Sequence, residues 1–283
     1  MLASIRTFFS ILGWLSPGLA GRFAAALFAR PRRHARPARE HELIARGEPV
    51  VLPDGLRATA WGAGPAVLLV HGWEGRGAQL GALVDPLVAA GFRAVALDGP
   101  AHGDSAGRST TGPEFAAAMA LTRDAIGPLT GIVAHSFGGF ASLLAVTRGL
   151  GTDRLVIIAS PSSVPDVLDD FVRQIRLPLR ALPSMVRALE SRVQAPMASF
   201  AIEAFASEIT IPVLVVHDTN DLEVPYANGT RLAALLPGAR LMTTSGLGHR
   251  RILFAPEVLG AVVEFIEAGG VMRTSLRLAS EDA

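Results

Sequence analysis

The chain has 283 residues, half of them apolar, with 26 basic against 25 acidic side chains and a net charge near +1. That length holds one large α/β domain with an insertion, and the apolar share suffices for a sheet buried under helices. Near-neutrality leaves no basic footprint for nucleic acid, and the absence of cysteine excludes disulfides, a thiolate nucleophile and a thiol redox switch.

Residues 1–40 stand apart. Ile5, Phe8, Phe9, Leu12 and Leu15 fall at helical spacing, Ser16-Pro17-Gly18 breaks the pattern, and Leu19, Phe23, Ala26 and Leu27 resume it. Before Glu40 the only charges are Arg6, Arg22, Arg30, Arg32, Arg33, Arg36 and Arg39; every basic residue of the chain is arginine, which reads as compositional bias. A spanning helix is disfavoured, because Pro17, Gly18 and Arg22 interrupt a stretch that needs ~20 apolar residues. A cleaved signal would use Arg6, the run 7–15 and a poor Gly-Leu-Ala site at 18–20. A basic amphipathic hairpin fits best, either docked on the domain (the simpler case) or in peripheral contact with an anionic membrane through residues 1–30.

Strand and helix patterns then alternate. Residues 48–52 and 56–61 flank the turn signal Pro53-Asp54-Gly55 and read as an opening hairpin. A strand over 66–70 precedes a helix near 78–89, stopped by Gly91. A strand over 92–97 precedes a helix over 113–126, with Pro113 in its first turn. A strand at 130–133 and a helix at 140–148 follow, then a strand at 155–159. From 160 to 208 the alternation is suspended in an apolar, helical segment broken by Pro161, Pro165, Pro178, Pro183 and Pro196. It resumes with strand 213–216, helix 226–236, strand 239–244 and helix 256–268. Gly269-Gly270 reads as the final stop, with 269–283 a loose tail. Short Val/Ile/Leu strands between amphipathic helices predict an α/β fold, a mostly parallel central sheet covered by helices on both faces. The predicted organisation is an N-terminal helical extension at 1–40, a core at 48–160 and 209–268, and a helical insertion at 161–208.

One motif carries chemistry. In Ala134-His135-Ser136-Phe137-Gly138-Gly139, between a strand and a helix, small residues flank the serine at −2 and +2. A very sharp strand-to-helix turn needs that, and it exposes the hydroxyl beside the free N–H groups of a new helix. Alone, the pattern is also a serine helix cap. A serine nucleophile needs a base oriented by an acid, and acid and base candidates follow in order. His217-Asp218-Thr219-Asn220-Asp221-Leu222-Glu223-Val224-Pro225 lies past one strand, and Ser245-Gly246-Leu247-Gly248-His249-Arg250 past the last. Both sit beyond strand carboxyl ends, where open parallel sheets place their sites.

From about Arg57 to Glu267 the chain resembles the α/β-hydrolase family, as a serine esterase-like member. His71-Gly72-Trp73-Glu74 is similar to the family's oxyanion-hole turn. Asp98-Gly99-Pro100-Ala101-His102-Gly103-Asp104-Ser105 is similar to its D-x-P-x-H-G-x-S loop. The elbow departs from the family's G-x-S-x-G by carrying Ala134. The resemblance implies Ser136 as nucleophile, His249 as base and Asp221 as the acid, through the Asp-x-x-Val-Pro and Gly-x-Gly-His matches. It implies the N–H groups of Phe137 and Trp73 as the oxyanion hole. Asp218 is the rival acid, at a position where the family has glycine, which argues for a turn role. The insertion at 161–208 corresponds to the family's lid, with Met185, Met197 and Phe200 either lining an acyl pocket or forming the lid's own core.

The other ionisable groups take structural roles in this reading. His71 and His102 brace the oxyanion turn, His135 packs beside the nucleophile, His217 ends a strand, and His34 and His41 lie in a polar connector. Glu223 is a solvated loop charge, and Asp98 belongs to the loop that buttresses the elbow. Neither H-E-x-x-H nor G-x-G-x-x-G is present, so no metal or nucleotide cofactor is expected. The resemblance implies a cytoplasmic hydrolase that cleaves small-molecule acyl esters through an acyl-enzyme. Thioester, lipid-ester, amide, carbon–carbon and perhydrolase chemistry stay open, since one triad supports them all. Serine in place of aspartate disfavours dehalogenation. The rival class is a non-catalytic ligand-binding or membrane-associated scaffold retaining the fold. Oligomeric state is not legible.

Overall fold

The computed structural model describes the backbone of residues 2–281 and the side chains of residues 2–269. Its strands are β1 (Glu48–Val51), β2 (Arg57–Trp61), β3 (Ala66–Val70), β4 (Arg93–Asp98), β5 (Leu129–His135), β6 (Thr152–Ile158), β7 (Val213–Asp218) and β8 (Arg240–Thr244). They form one sheet in the order β1-β2-β4-β3-β5-β6-β7-β8. The β1–β2 hairpin and the β2–β4 pair are antiparallel, and all pairs from β4 to β8 are parallel. β3 and β5 are buried along their whole length, which is why β3 reads as a continuous apolar run and not as alternation. Successive residues still point to opposite faces: Leu68 and Val70 join one apolar cluster, Val67 and Leu69 the other.

Eleven helices complete the described chain. α1 (Leu2–Leu15), α2 (Pro17–Phe28) and α3 (Ala38–Ala45) precede the sheet. α4 (Val84–Ala89) and α11 (Pro256–Glu281) pack on one face of it, α5 (Gly112–Ile126) and α6 (Phe137–Thr147) on the other. α7 (Val164–Ile175) and α8 (Leu182–Val193) make up most of the insertion, α9 (Ala227–Leu235) links β7 to β8, and α10 is the short turn Gly248–Arg251. None of the described helices is long and apolar enough to cross a membrane.

Three expectations are corrected. The helix expected over 78–89 is a 3-10 segment, Gly77–Leu83, followed by α4. Gly77 and Gly81 are poor helix formers, and the Gly77 N–H is captured by Asp98 Oδ1 at 2.7 Å. The polar connector contains α3, on which Glu40 forms a buried ion pair with Arg76. The last helix does not stop at Gly269-Gly270 but continues as α11 to Glu281. Gly269 is a packing residue here: a Cβ on it would lie 2.7 Å from Arg154 Nε. A helix interior tolerates such a glycine for about 1 kcal/mol. The expected tail is therefore helical to Glu281, and its last two residues lie outside the described residues.

The N-terminal hairpin is packed against the insertion. α2 lies on α8 so closely that a Cβ on Gly21 would meet the Ala181 carbonyl oxygen and lie 2.7 Å from Met185 N. Ala20 and Ala24 are fully buried in the same contact. The insertion continues the α5–α6 side of the core, and Met185, Met197 and Phe200 are buried in that shared cluster. This is the simpler of their two readings.

Candidate active site

β5 delivers the chain to Ser136 deep between β3 and β6. Ala134 pairs with Val70 on one side and Ile157 on the other and is wholly buried. Ser136 donates its N–H to Ile158 O at 2.8 Å. It then turns into left-handed backbone, φ 52° and ψ −127°, and α6 starts at the next residue. A non-glycine residue there costs on the order of 1–3 kcal/mol and persists only where its surroundings enforce it. Gly138 makes the turn possible: a Cβ on it would strike the His71 carbonyl oxygen and lie 2.7 Å from Val70 O.

The oxyanion turn abuts this elbow. A Cβ on Gly72 would sit 3.3 Å from Ser136 Oγ. Among the described residues neither the Trp73 N–H nor the Phe137 N–H has an acceptor; the latter is a free first-turn donor of α6. The Trp73 and Phe137 rings meet edge to face at 5.2 Å.

Asp221 follows β7 and His249 opens α10. His249 Nδ1 donates to Asp221 Oδ2 at 2.8 Å, while Asp221 Oδ1 accepts the Glu223 and Val224 N–H groups, each at 2.8 Å. His217 Nε2 donates to Val224 O at 2.9 Å and lies 3.5 Å from the same Oδ2. Burial works to raise the Asp221 carboxyl, but hydrogen bonds from His217, His249 and the Val224 N–H outweigh it, holding the group well below the usual carboxylate range. The ionised acid fixes the Nδ1–H tautomer, so the neutral ring presents Nε2 as a proton acceptor. His135, adjacent to Ser136, donates Nε2–H to His249 O at 2.9 Å, with the two rings 4.7 Å apart. Among the described residues no hydrogen bond joins Ser136 Oγ to His249; such bonds commonly close only when substrate is present.

Asp218 does different work. Its Oδ1 accepts from Asn220 N at 2.9 Å, and its Oδ2 from Thr244 Oγ1 at 2.7 Å and Leu247 N at 3.0 Å. Burial opposes ionisation, yet the hydrogen bonds from Thr244 and the loop N–H groups prevail and lower its carboxyl. It ties the ends of β7 and β8 to the loop that presents His249, and no hydrogen bond joins it to the imidazole. Glu223 pairs with Arg250 at the surface, and Asp98 accepts the Gly77 and Asp104 N–H groups. Among the described residues no group of three or more His, Asp or Glu side chains could hold a metal ion.

His71 and His102 brace the oxyanion turn through matched bonds. Each donates from Nδ1, to Gly72 O at 2.7 Å and Pro100 O at 2.9 Å. Each accepts at Nε2, from Gly99 N and Glu74 N, both at 3.0 Å. Such rings must be neutral. Burial drives His71 down to about 4 and His102 to about 3, the latter helped by its neighbour, and burial beside His249 takes His135 to about 3. The unfolded chain protonates all three near their ordinary 6.5 while the folded chain does not, so stability present at neutral pH is lost on acidification. The expected loss from about pH 6.5 down to about pH 4 approaches 4 kcal/mol per pH unit at most, about 1.4 for each ring. Thermal melts across this range test it, and a melting temperature unchanged down to about pH 5 would contradict it.

A strap of arginines, unanticipated in the sequence, holds the same turn from outside. Arg32 grips Glu74 with Nε at 2.8 Å and a second nitrogen at 2.9 Å, and Glu74 itself has φ 57°. Arg33 donates to the carbonyls of Ala101, Ser105 and Gly107, and Arg36 reaches Asp104 at 2.9 Å.

Known proteins place the chain. The Alpha/beta hydrolase family profile matches residues 67–262. The chain is 26% identical over 253 residues to a pimeloyl-[acyl-carrier protein] methyl ester esterase of Aromatoleum aromaticum, covering 72% of this chain and 99% of that one. It is 27% identical over 243 residues to a non-heme chloroperoxidase of Kitasatospora aureofaciens, covering 67% and 86%. An esterase structure from Exiguobacterium antarcticum superimposes with a TM-score of 0.58 at 18% identity, covering 78% of this chain and 99% of that one. With the family matched over more than half its length and the sheet order, elbow and loops in place, the chain belongs to the alpha/beta hydrolase family.

Proposed function

We propose that this protein hydrolyses carboxylic esters of small molecules through an acyl-enzyme on Ser136. Two observations support the reading: the elbow serine in left-handed backbone, and a histidine whose Nδ1–H is held by an ionised, buried carboxylate and whose carbonyl accepts from His135, the serine's chain neighbour. His249 Nε2 removes the Ser136 proton as Oγ attacks the ester carbonyl. The oxyanion is received by the Phe137 and Trp73 N–H groups, each such donor worth about 3 kcal/mol in related chemistry. The protonated His249 gives its proton to the departing alkoxide. Water, activated by the same ring, then releases the acid. The helical insertion serves as a lid over the acyl side. An esterase relative supports ester over amide chemistry, and thioesters are a second substrate class open to the same steps.

The test is a series of p-nitrophenyl esters of increasing acyl length beside acyl thioesters, with a fluorophosphonate probe on the folded chain. Covalent labelling together with ester turnover is the expected result. A folded chain that neither labels nor turns over any ester would be a binding scaffold on a hydrolase fold.

A further inference from the structure

The hairpin buries Phe9, Ala20 and Ala24 and leaves several of its large residues outside. Phe8, Ile11, Trp14, Leu15 and Leu19 are all exposed, Trp14 to 72% and Leu15 to 65%. The insertion extends this surface. Gly13 approaches Pro178 so closely that a Cβ would lie 2.5 Å from its ring, and the next residue, Leu179, is 79% exposed. Two segments far apart in sequence therefore present one apolar tip. Scattered exposed leucines need no explanation, but a contiguous apolar patch of this kind marks an interaction surface.

The charges around the tip choose the occupant. Arg176 and Arg180 flank Leu179, and Arg22 stands on the outer side of α2; all three are exposed and none forms an ion pair among the described residues. No acidic residue precedes Glu40, and of the three aspartates on neighbouring α7, Asp170 is paired with Arg173 and Asp166 with Arg231, which leaves Asp169 as a single exposed acid against the three arginines. A second copy is the poorer fit, since a twofold contact would set this arginine rim against itself. Tryptophan and leucine at the tip with free arginines behind them match the boundary between acyl chains and anionic headgroups. We propose that the α1–α2 hairpin and the 176–180 turn together form a docking surface for an anionic lipid bilayer. Trp14, Leu15 and Leu179 enter the interface and the arginines contact headgroups. The surface is independent of the catalytic reading, and an inactive chain would dock equally well.

Flotation of the full chain with vesicles of phosphatidylcholine containing about 30 mol % phosphatidylglycerol, against phosphatidylcholine alone, tests this. Binding is expected only to the anionic vesicles, weakened by salt. The combined variant Trp14→Ser, Leu15→Ser, Leu179→Ser should bind at least about tenfold more weakly, and Arg176→Gln and Arg180→Gln roughly fivefold each. All are surface changes, so thermal melts and turnover of a soluble ester should match the parent chain. Three outcomes would overturn the proposal: no flotation with either vesicle, equal flotation with both, or a solution dimer that the triple variant dissociates.

Discussion

Ser136→Ala is expected to abolish fluorophosphonate labelling and to lower kcat/KM for esters by at least about 10⁴-fold. Removing the nucleophile of a serine triad leaves only what the oxyanion donors and binding provide, and losses up to about 10⁶ in kcat are known from other serine hydrolases. Alanine is the informative replacement because it keeps the Cβ and the left-handed backbone, so the turn geometry and its strain are unchanged. The melting temperature should therefore stay close to that of the parent chain, separating chemistry from folding. Persistent labelling of the variant would move the nucleophile elsewhere.

The second large effect concerns the two aspartates. Asp221→Asn should reduce kcat by about 10⁴-fold. An amide nitrogen at the Oδ2 position would donate to Nδ1, push the ring proton to Nε2, and leave no acceptor facing Ser136. Asp218→Asn should change kcat far less, within about tenfold, since its partners are Asn220 N, Thr244 Oγ1 and Leu247 N and not the imidazole. It should instead lower stability by about 1–3 kcal/mol, because one of those buried donors would face an amide N–H. Measuring kcat and melting temperature for both variants resolves the roles. The opposite pattern would make Asp218 the acid.

Much of this was legible from the chain. The parallel strands announce themselves because burial on both faces demands apolar runs such as Val67–Val70, Leu155–Ile158 and Val213–Val216. The candidates Ser136, Asp221 and His249 drew attention because each lies just past a strand, where strand ends converge. What was hidden depended on distant partners. Gly269 looks like a stop, and only the Arg154 side chain beneath it shows that a glycine is needed inside the helix. The short helix around Glu40 was hidden because its eight residues bury only Glu40 and Leu43, and the partner of Glu40 is Arg76, 36 residues away. The arginine strap has no periodicity at all, since its partners are backbone carbonyls and carboxylates on two separate loops.

The backbone at Ser136 bears on how this chain would change if relieved of chemistry. Glycine visits positive φ without the Cβ clash, so Ser136→Gly would relax the one residue at the elbow that the fold itself does not need as serine. Sites of this kind sit where activity and robustness pull in opposite directions. A descendant freed from turnover would drift toward glycine at this position.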